Sequence, residues 1–180
     1  IAIALIINGQ EIWIGNDDYA DELSKYEGVL KNLTQAIDKL QLGTAGPPGS
    51  KGIVISYSQG AEIKLAMGDL KNVTGAALGS QKDYQGKIGT DMVQGITMGT
   101  AELSKVATPR KALIVVGDGN DTNNEAAKAA LAQLKNDGKK ANISLFAIIY
   151  KSAVSSDGAV ITTMIPGAKT VNSVDGIASE

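Results

Sequence analysis

The chain is 180 residues long, the size of one domain, with 43% hydrophobic and 20% charged residues, a balance that places it among globular chains rather than disordered or fibrous ones. Its 17 Lys plus Arg against 19 Asp plus Glu leave a formal net charge of −2, without the clustered positive charge through which nucleic acid is bound. It contains no Cys and no His, which excludes disulfides, thiolate nucleophiles, Ser-His-Asp triads, His-ligated zinc and histidine proton switches.

Ile1–Ile7 is a continuous apolar run rich in β-branched residues and reads as a strand covered on both faces, the pattern of a mostly parallel sheet. It is too short for a secretory signal and lacks a basic flank, and no stretch approaches the roughly 20 apolar residues of a membrane span. Leu23, Tyr26, Leu30, Leu33, Ile37 and Leu40 recur at three- and four-residue steps, which predicts an amphipathic helix. The loop Gly43–Gly49, with Pro47-Pro48, ends it. Gly52–Ile55 is a second buried strand. Ile63 and Leu65 then alternate with Glu62 and Lys64, the period of a half-exposed edge strand, and the short Gln59-Gly60 link permits only an antiparallel hairpin.

Between Gly68 and Gly89 the sequence predicts a short helix near Leu70–Ala77 and then an exposed loop. Asp91–Ser104 reads as a helix with Val93, Ile96 and Leu103 turned inward, and Ala112–Val116 as a third buried strand. Thr122-Asn123-Asn124-Glu125 matches a capping box in which the threonine hydroxyl accepts from the Glu125 amide. The helix it opens carries Ala127, Ala130, Leu131 and Leu134, and Asp137-Gly138 is expected to close it with a left-handed glycine. Ile143–Ile149 is the last buried strand. Beyond Tyr150, Ser155–Gly158 reads as a turn and Ile161–Ile165 as a short helix or strand.

This order predicts one domain over residues 1–180 with an α/β fold: an open, mostly parallel, doubly wound sheet with one antiparallel edge strand and helices on both faces. The chain opens inside a strand and stops just after a helical start, which reads as a piece of a longer protein. Ligands of such sheets sit outside the carboxyl ends of the strands, where the strand order reverses. The tips of interest are therefore Asn8–Trp13, Thr90 with its neighbours, and Gly117–Asp121.

Two motifs at strand ends suggest enzymatic or nucleotide chemistry and argue against themselves. Ser56-Tyr57-Ser58-Gln59-Gly60 is similar to the nucleophile elbow of cutinases and lipases, but a strand follows instead of a helix and no histidine can activate Ser58. Gly117-Asp118-Gly119 precedes a helix N-terminus, yet Thr122 stands where a dinucleotide fingerprint needs its third glycine, and Asp118 and Asp121 repel phosphate.

Ala112–Gly119 resembles the fourth strand and acidic tip of the von Willebrand factor A family, and Gly89–Ile96 resembles that family's threonine loop running into its third helix. The long first helix, the edge hairpin and the order of elements agree over essentially the whole chain. The resemblance implies a metal-ion-dependent adhesion site at the top of the sheet, built from D-x-S-x-S after the first strand, a threonine and a later aspartate, where Mg²⁺ accepts a partner's carboxylate. Thr90 and Asp118 match the later ligands. The first motif reads Asn8-Gly9-Gln10-Glu11-Ile12: an uncharged amide, a longer amide and a hydrocarbon at the three ligand positions.

Because Mg²⁺ demands near-octahedral oxygen ligands, the expectation is a degenerate site with no metal, Mg²⁺ or Ca²⁺ returning only if Glu11, Asp17, Asp18 or Asp91 supplies the missing charge. Ile12, Trp13 and Ile14 form an apolar cluster that either anchors a partner or packs on the first helix. The function expected is a non-enzymatic protein-interaction or assembly module that works without metal. The alternatives are a metal-dependent adhesion domain using Asn8, Thr90 and Asp118, a hydrolase using Ser58 or an acid pair, and a nucleotide-binding α/β protein.

Overall fold

The computed structural model describes residues 1–10, 29–41, 44, 46–150, 165 and 168–171. Their strands are β1 (Ala2–Asn8), β2 (Lys51–Tyr57), β3 (Ala61–Asp69), β4 (Lys111–Gly117), β5 (Ile143–Tyr150) and β6 (Lys169–Val171). The helices are α1 (Val29–Leu40), α2 (Met92–Ser104) and α3 (Asn124–Lys140). The strands form one sheet in the order β3-β2-β1-β4-β5-β6. Only the β2–β3 pair is antiparallel, so the expected doubly wound sheet with a reversed edge strand is the fold observed.

Side chains of a strand alternate between faces, and β1 shows why its sequence is apolar without interruption. Ala2, Ala4 and Ile6 join Ile53, Ile55, Met92, Ile96, Leu103 and Leu113 in one cluster beneath α2 and α3. Ile3, Leu5 and Ile7 join Leu33, Ile37, Val54 and Leu78 in a second cluster on the α1 face. Each fully buried Ile or Leu contributes roughly 1.5–3 kcal/mol relative to exposure.

Helix α2 approaches the sheet through glycine. Gly95 and Gly99, one turn apart on the same face, are both buried. A Cβ at Gly95 would lie 2.9 Å from Ile6 Cγ2 and one at Gly99 would lie 2.8 Å from Ile6 Cδ1. Ile96 and Leu103 face inward as expected. Val93 is only half-buried, and Met92 fills the place beside it.

Several local expectations are corrected. Three 3₁₀ turns, Leu70–Asn72, Gly75–Leu78 and Gln81–Tyr84, replace the single helix expected near Leu70–Ala77. Gly75 is the reason for the break: its amide donates to Asp38 Oδ1 of α1 at 2.7 Å, and a Cβ there would stand 2.5 Å from the Thr34 carbonyl oxygen. Helix α3 does not stop at Gly138 but continues to Lys140, two lysines extending it where the helix dipole favours positive charge. The left-handed residue is Asn142, at φ 57°. The cap of α3 is Asn123, whose Oδ1 accepts from the Ala126 amide at 3.1 Å, so Thr122 is free for another partner.

Strand β3 also departs from strict alternation. Register shifts against β2 fall between Gly52 and Val54 and between Val54 and Ile55. Leu65 packs on the α1-face cluster, and Lys64 turns to the Tyr84 ring of that cluster, its Nζ 4.8 Å from the ring centroid. The Lys64 side chain is 11% exposed and pairs with Glu62 at 3.2 Å, while Ile63 is left 43% exposed. Residues 161–164 lie outside the described residues; Ile165 is buried in the α2/α3-face cluster, and the short strand β6 follows it unannounced by any apolar run.

Candidate functional site

The strand order reverses between β1 and β4, since β1 connects towards β2 and β4 towards β5. Asn8 ends β1 and Asp118 follows β4, so both stand at the carboxyl edge where a doubly wound sheet binds ligands. The structure brings Asn8, Gln10, Thr90 and Asp118 into one hydrogen-bonded group. Ile12, Trp13 and Ile14, and the acids Glu11, Asp17 and Asp18, lie outside the described residues.

The group is held by its own side chains. The Gln10 amide donates to Asn8 Oδ1 at 2.9 Å, which directs Asn8 Nδ2 to donate to Asp118 Oδ1 at 3.4 Å. The Thr90 hydroxyl donates to Gln10 Oε1 at 3.0 Å. Asp118 Oδ1 also accepts from the Asn120 amide at 3.3 Å, a local bond of the kind short acids make in turns. Asn8 is fully buried.

Thr122 couples the two loops above the sheet. Its Oγ1 accepts from the Thr90 amide at 2.9 Å, and its own amide donates to the Thr90 carbonyl at 2.8 Å. Asp121 bridges the starts of two helices, accepting from the Val93 amide at 3.3 Å and the Asn123 amide at 3.0 Å. Asp91 caps α2 by accepting from the Gln94 amide at 3.0 Å. The Val93, Gln94 and Asn123 amides at these helix starts are thus engaged by the chain's own carboxylates, and the Ala126 amide by the Asn123 carboxamide, which leaves them unavailable to an anion. Ser58 lies in the hairpin between β2 and β3, with strand rather than helix after it.

Burial pushes the Asp118 carboxyl above the usual carboxylate range, against hydrogen bonds from Asn120 and Asn8 that pull it down. Between the ordinary and raised values the native state holds more protons than the unfolded chain, so stability falls as pH rises through that window and returns on acidification. Asp118→Asn is expected to flatten this slope, read as urea midpoints measured upward in pH from the ordinary carboxylate range.

Tyr57 is a member of the site that the sequence does not announce. The residue is fully buried and its hydroxyl has no hydrogen-bond partner among the described residues. Burial, then the Asp118 and Asp121 carboxylates, push its pKa well up. A Cβ at Gly117 would collide with this hydroxyl, so the glycine of Gly117-Asp118-Gly119 makes room for a tyrosine reaching from β2. An aromatic ending one strand and a glycine ending another were the only signals. Because a buried unsatisfied hydroxyl costs about 1–3 kcal/mol, Tyr57→Phe is expected to raise Tm in a thermal melt by about 3–10 °C.

Beside this group a groove of about 420 Å³ runs between the starts of α2 and α3, lined in part by Ile88, Val93, Asp121, Ala126 and Ala130. Ile88 at its rim is 60% exposed. Among the described residues there is no group of three or more acidic, His or Cys side chains placed to hold a metal ion, and no helix long and apolar enough to cross a membrane.

The sheet order, the reversed edge strand and the loop cluster at the β1/β4 switch define a von Willebrand factor A-like fold. No protein-family profile matches the chain, and no curated protein matches it. Solved structures do. A von Willebrand factor type A protein from Catenulispora acidiphila superposes with a TM-score of 0.67 at 14% identity, over 99% of this chain and 40% of that one. The vWF domain of the type V pili tip protein Mfa5 from Porphyromonas gingivalis gives 0.63 at 10% identity, over 99% and 93%. Proximal thread matrix protein 1 from the mussel byssus, with a zinc-occupied MIDAS motif, gives 0.66 at 16% identity, over 99% and 45%. At these identities the likeness is one of fold.

Proposed function

We propose that the chain is a non-enzymatic protein-interaction or assembly module that works without a bound metal. The observation that carries this reading is the hydrogen-bonded chain Asp118–Asn8–Gln10–Thr90. A divalent cation at this place needs several oxygens with lone pairs free and negative charge to offset its dehydration. Here Asn8 Oδ1 is engaged by an amide N–H, Asn8 Nδ2 presents hydrogens to Asp118, and Gln10 Oε1 is engaged by Thr90. Asp118 alone among the four is charged, so the residues fit a cation poorly. Asp91, a candidate for supplying charge, is committed to capping α2.

That two similar structures are a pilus tip domain and a byssal matrix protein supports a role in contacts between proteins. The described part of the partner surface on this reading is the rim at Ile88 beside the groove; Ile12, Trp13 and Ile14 are its candidates from the sequence alone.

Calorimetric titration with Mg²⁺, Mn²⁺ and Ca²⁺ is the test. The expected result is no binding at millimolar ion and the same Tm with and without chelator. The triple variant Asn8→Asp, Gln10→Ser, Ile12→Ser is expected to gain measurable affinity by restoring an acid and two hydroxyls. Micromolar binding by the unsubstituted chain, lost on Asp118→Ala, would replace this reading with a metal-dependent adhesion domain using Asn8, Thr90 and Asp118.

A further inference from the structure

We infer that Asn8-Gly9 is a deamidation site which the native fold holds shut, and whose reaction turns a passing opening of the sheet top into a permanent one. It is the only Asn-Gly pair in the sequence. In such a pair the Gly9 backbone nitrogen attacks the Asn8 side-chain carbonyl carbon. The new C–N bond closes a succinimide, and the side-chain nitrogen leaves as ammonia with the proton lost from Gly9 N. Water then opens the ring to aspartate or isoaspartate. The balance is one water consumed and one ammonia released, with no oxidant or reductant. Glycine is the most permissive follower because it has no Cβ to shield the nitrogen or restrict the backbone.

Packing forces this labile pair on the chain. A Cβ at residue 9 would stand 3.1 Å from Ser56 Cβ, 3.2 Å from Tyr84 Cε1 and 3.3 Å from the Tyr57 carbonyl oxygen, so any larger residue is pressed on three sides and glycine fits without strain. Asn8 is needed for its two-sided amide, accepting from Gln10 and donating to Asp118.

The same contacts block the reaction. The Gly9 amide donates to the Tyr57 carbonyl at 2.6 Å, which holds the nucleophile in the sheet. The Asn8 carboxamide is fixed at both ends and fully buried, so it can neither rotate onto that nitrogen nor meet water. Reaction therefore requires the ends of β1 and β2 to part, and its rate follows the population of the open form. Once it occurs, aspartate at position 8 replaces an N–H donor with a carboxylate at the hydrogen-bond distance of Asp118. Two like charges there, neither with the other's donor, oppose reclosure, and isoaspartate adds a backbone atom between residues 8 and 9 that carries the Gly9 amide away from the Tyr57 carbonyl.

The test uses the full chain, incubated at mildly alkaline pH and physiological temperature with and without denaturing urea. Peptide mapping with fragment-ion localisation follows the mass gain of an NH₂-to-OH exchange at Asn8. The native rate is expected to be at least about 100-fold below the unfolded rate. Comparable rates in the two states would overturn the proposal. Asn8→Asp, made directly and melted in chelator, is expected to lose at least about 5 °C, and a melt like that of the unsubstituted chain would overturn the claim of permanent opening. Metal affinity of the unsubstituted chain, which decides the functional reading above, enters neither measurement.

Discussion

Gly95→Leu is expected to lower the unfolding free energy by about 3 kcal/mol or more, at the upper end of overpacking effects, and Tm by roughly 10 °C. The cause is the seat of α2 on β1. A single Cβ at Gly95 already falls 2.9 Å from Ile6 Cγ2 and 3.2 Å from Tyr57 Cβ, and leucine adds three more carbons in a cluster where Ile6, Ile55, Met92 and Ile96 are all buried. The helix must lift, and Asp91, Val93 and Thr90 at its start move with it. Guanidinium unfolding monitored by circular dichroism reads the loss. A variant within about 1 kcal/mol of the parent would mean that α2 is not seated on Ile6.

Ile6→Ala is expected to cost about 3–4 kcal/mol, within the range for large-to-small changes in a rigid core. Ile6 is completely buried in the strand that pairs with both β2 and β4, and sheet neighbours on two sides prevent collapse into the space. The two predictions are coupled. Ile6→Ala removes the methyl groups that a side chain at Gly95 would strike, so Gly95→Ala combined with Ile6→Ala should cost less than the sum of the two, by about 0.5–2 kcal/mol in a double-mutant cycle. Additive losses would show that the glycine contact is not the one that matters.

The sheet was legible in the sequence because burial on both faces leaves an unambiguous trace. The runs Ile1–Ile7, Gly52–Ile55, Ala112–Val116 and Ile143–Ile149 each became a central strand. The edges were less legible: β6 spans three residues with two of them exposed, and the shifted register of β3 places Lys64 where simple alternation would not. Helix ends also misled. Thr122 has the chemistry of a cap, and one residue of slippage gave that task to Asn123 and left Thr122 to bind Thr90 across a sequence separation of 32. At the top of the sheet the position-by-position resemblance named Asn8, Gln10, Ile12, Thr90 and Asp118; the structure joins all but Ile12, which lies outside the described residues, by hydrogen bonds. It could not find Tyr57, whose place depends on a gap over Gly117 that exists only once β1, β2 and β4 lie side by side.

Strand β3 ends the sheet with one row of backbone donors and acceptors that no described strand covers. The shifted register bends that row, and the Lys64 ammonium, held over Tyr84 and beside Glu62, would have to be stripped of its surroundings before a foreign strand could zip alongside. A flank so guarded resists edge-to-edge zipping with further copies of the chain even where those copies are crowded together.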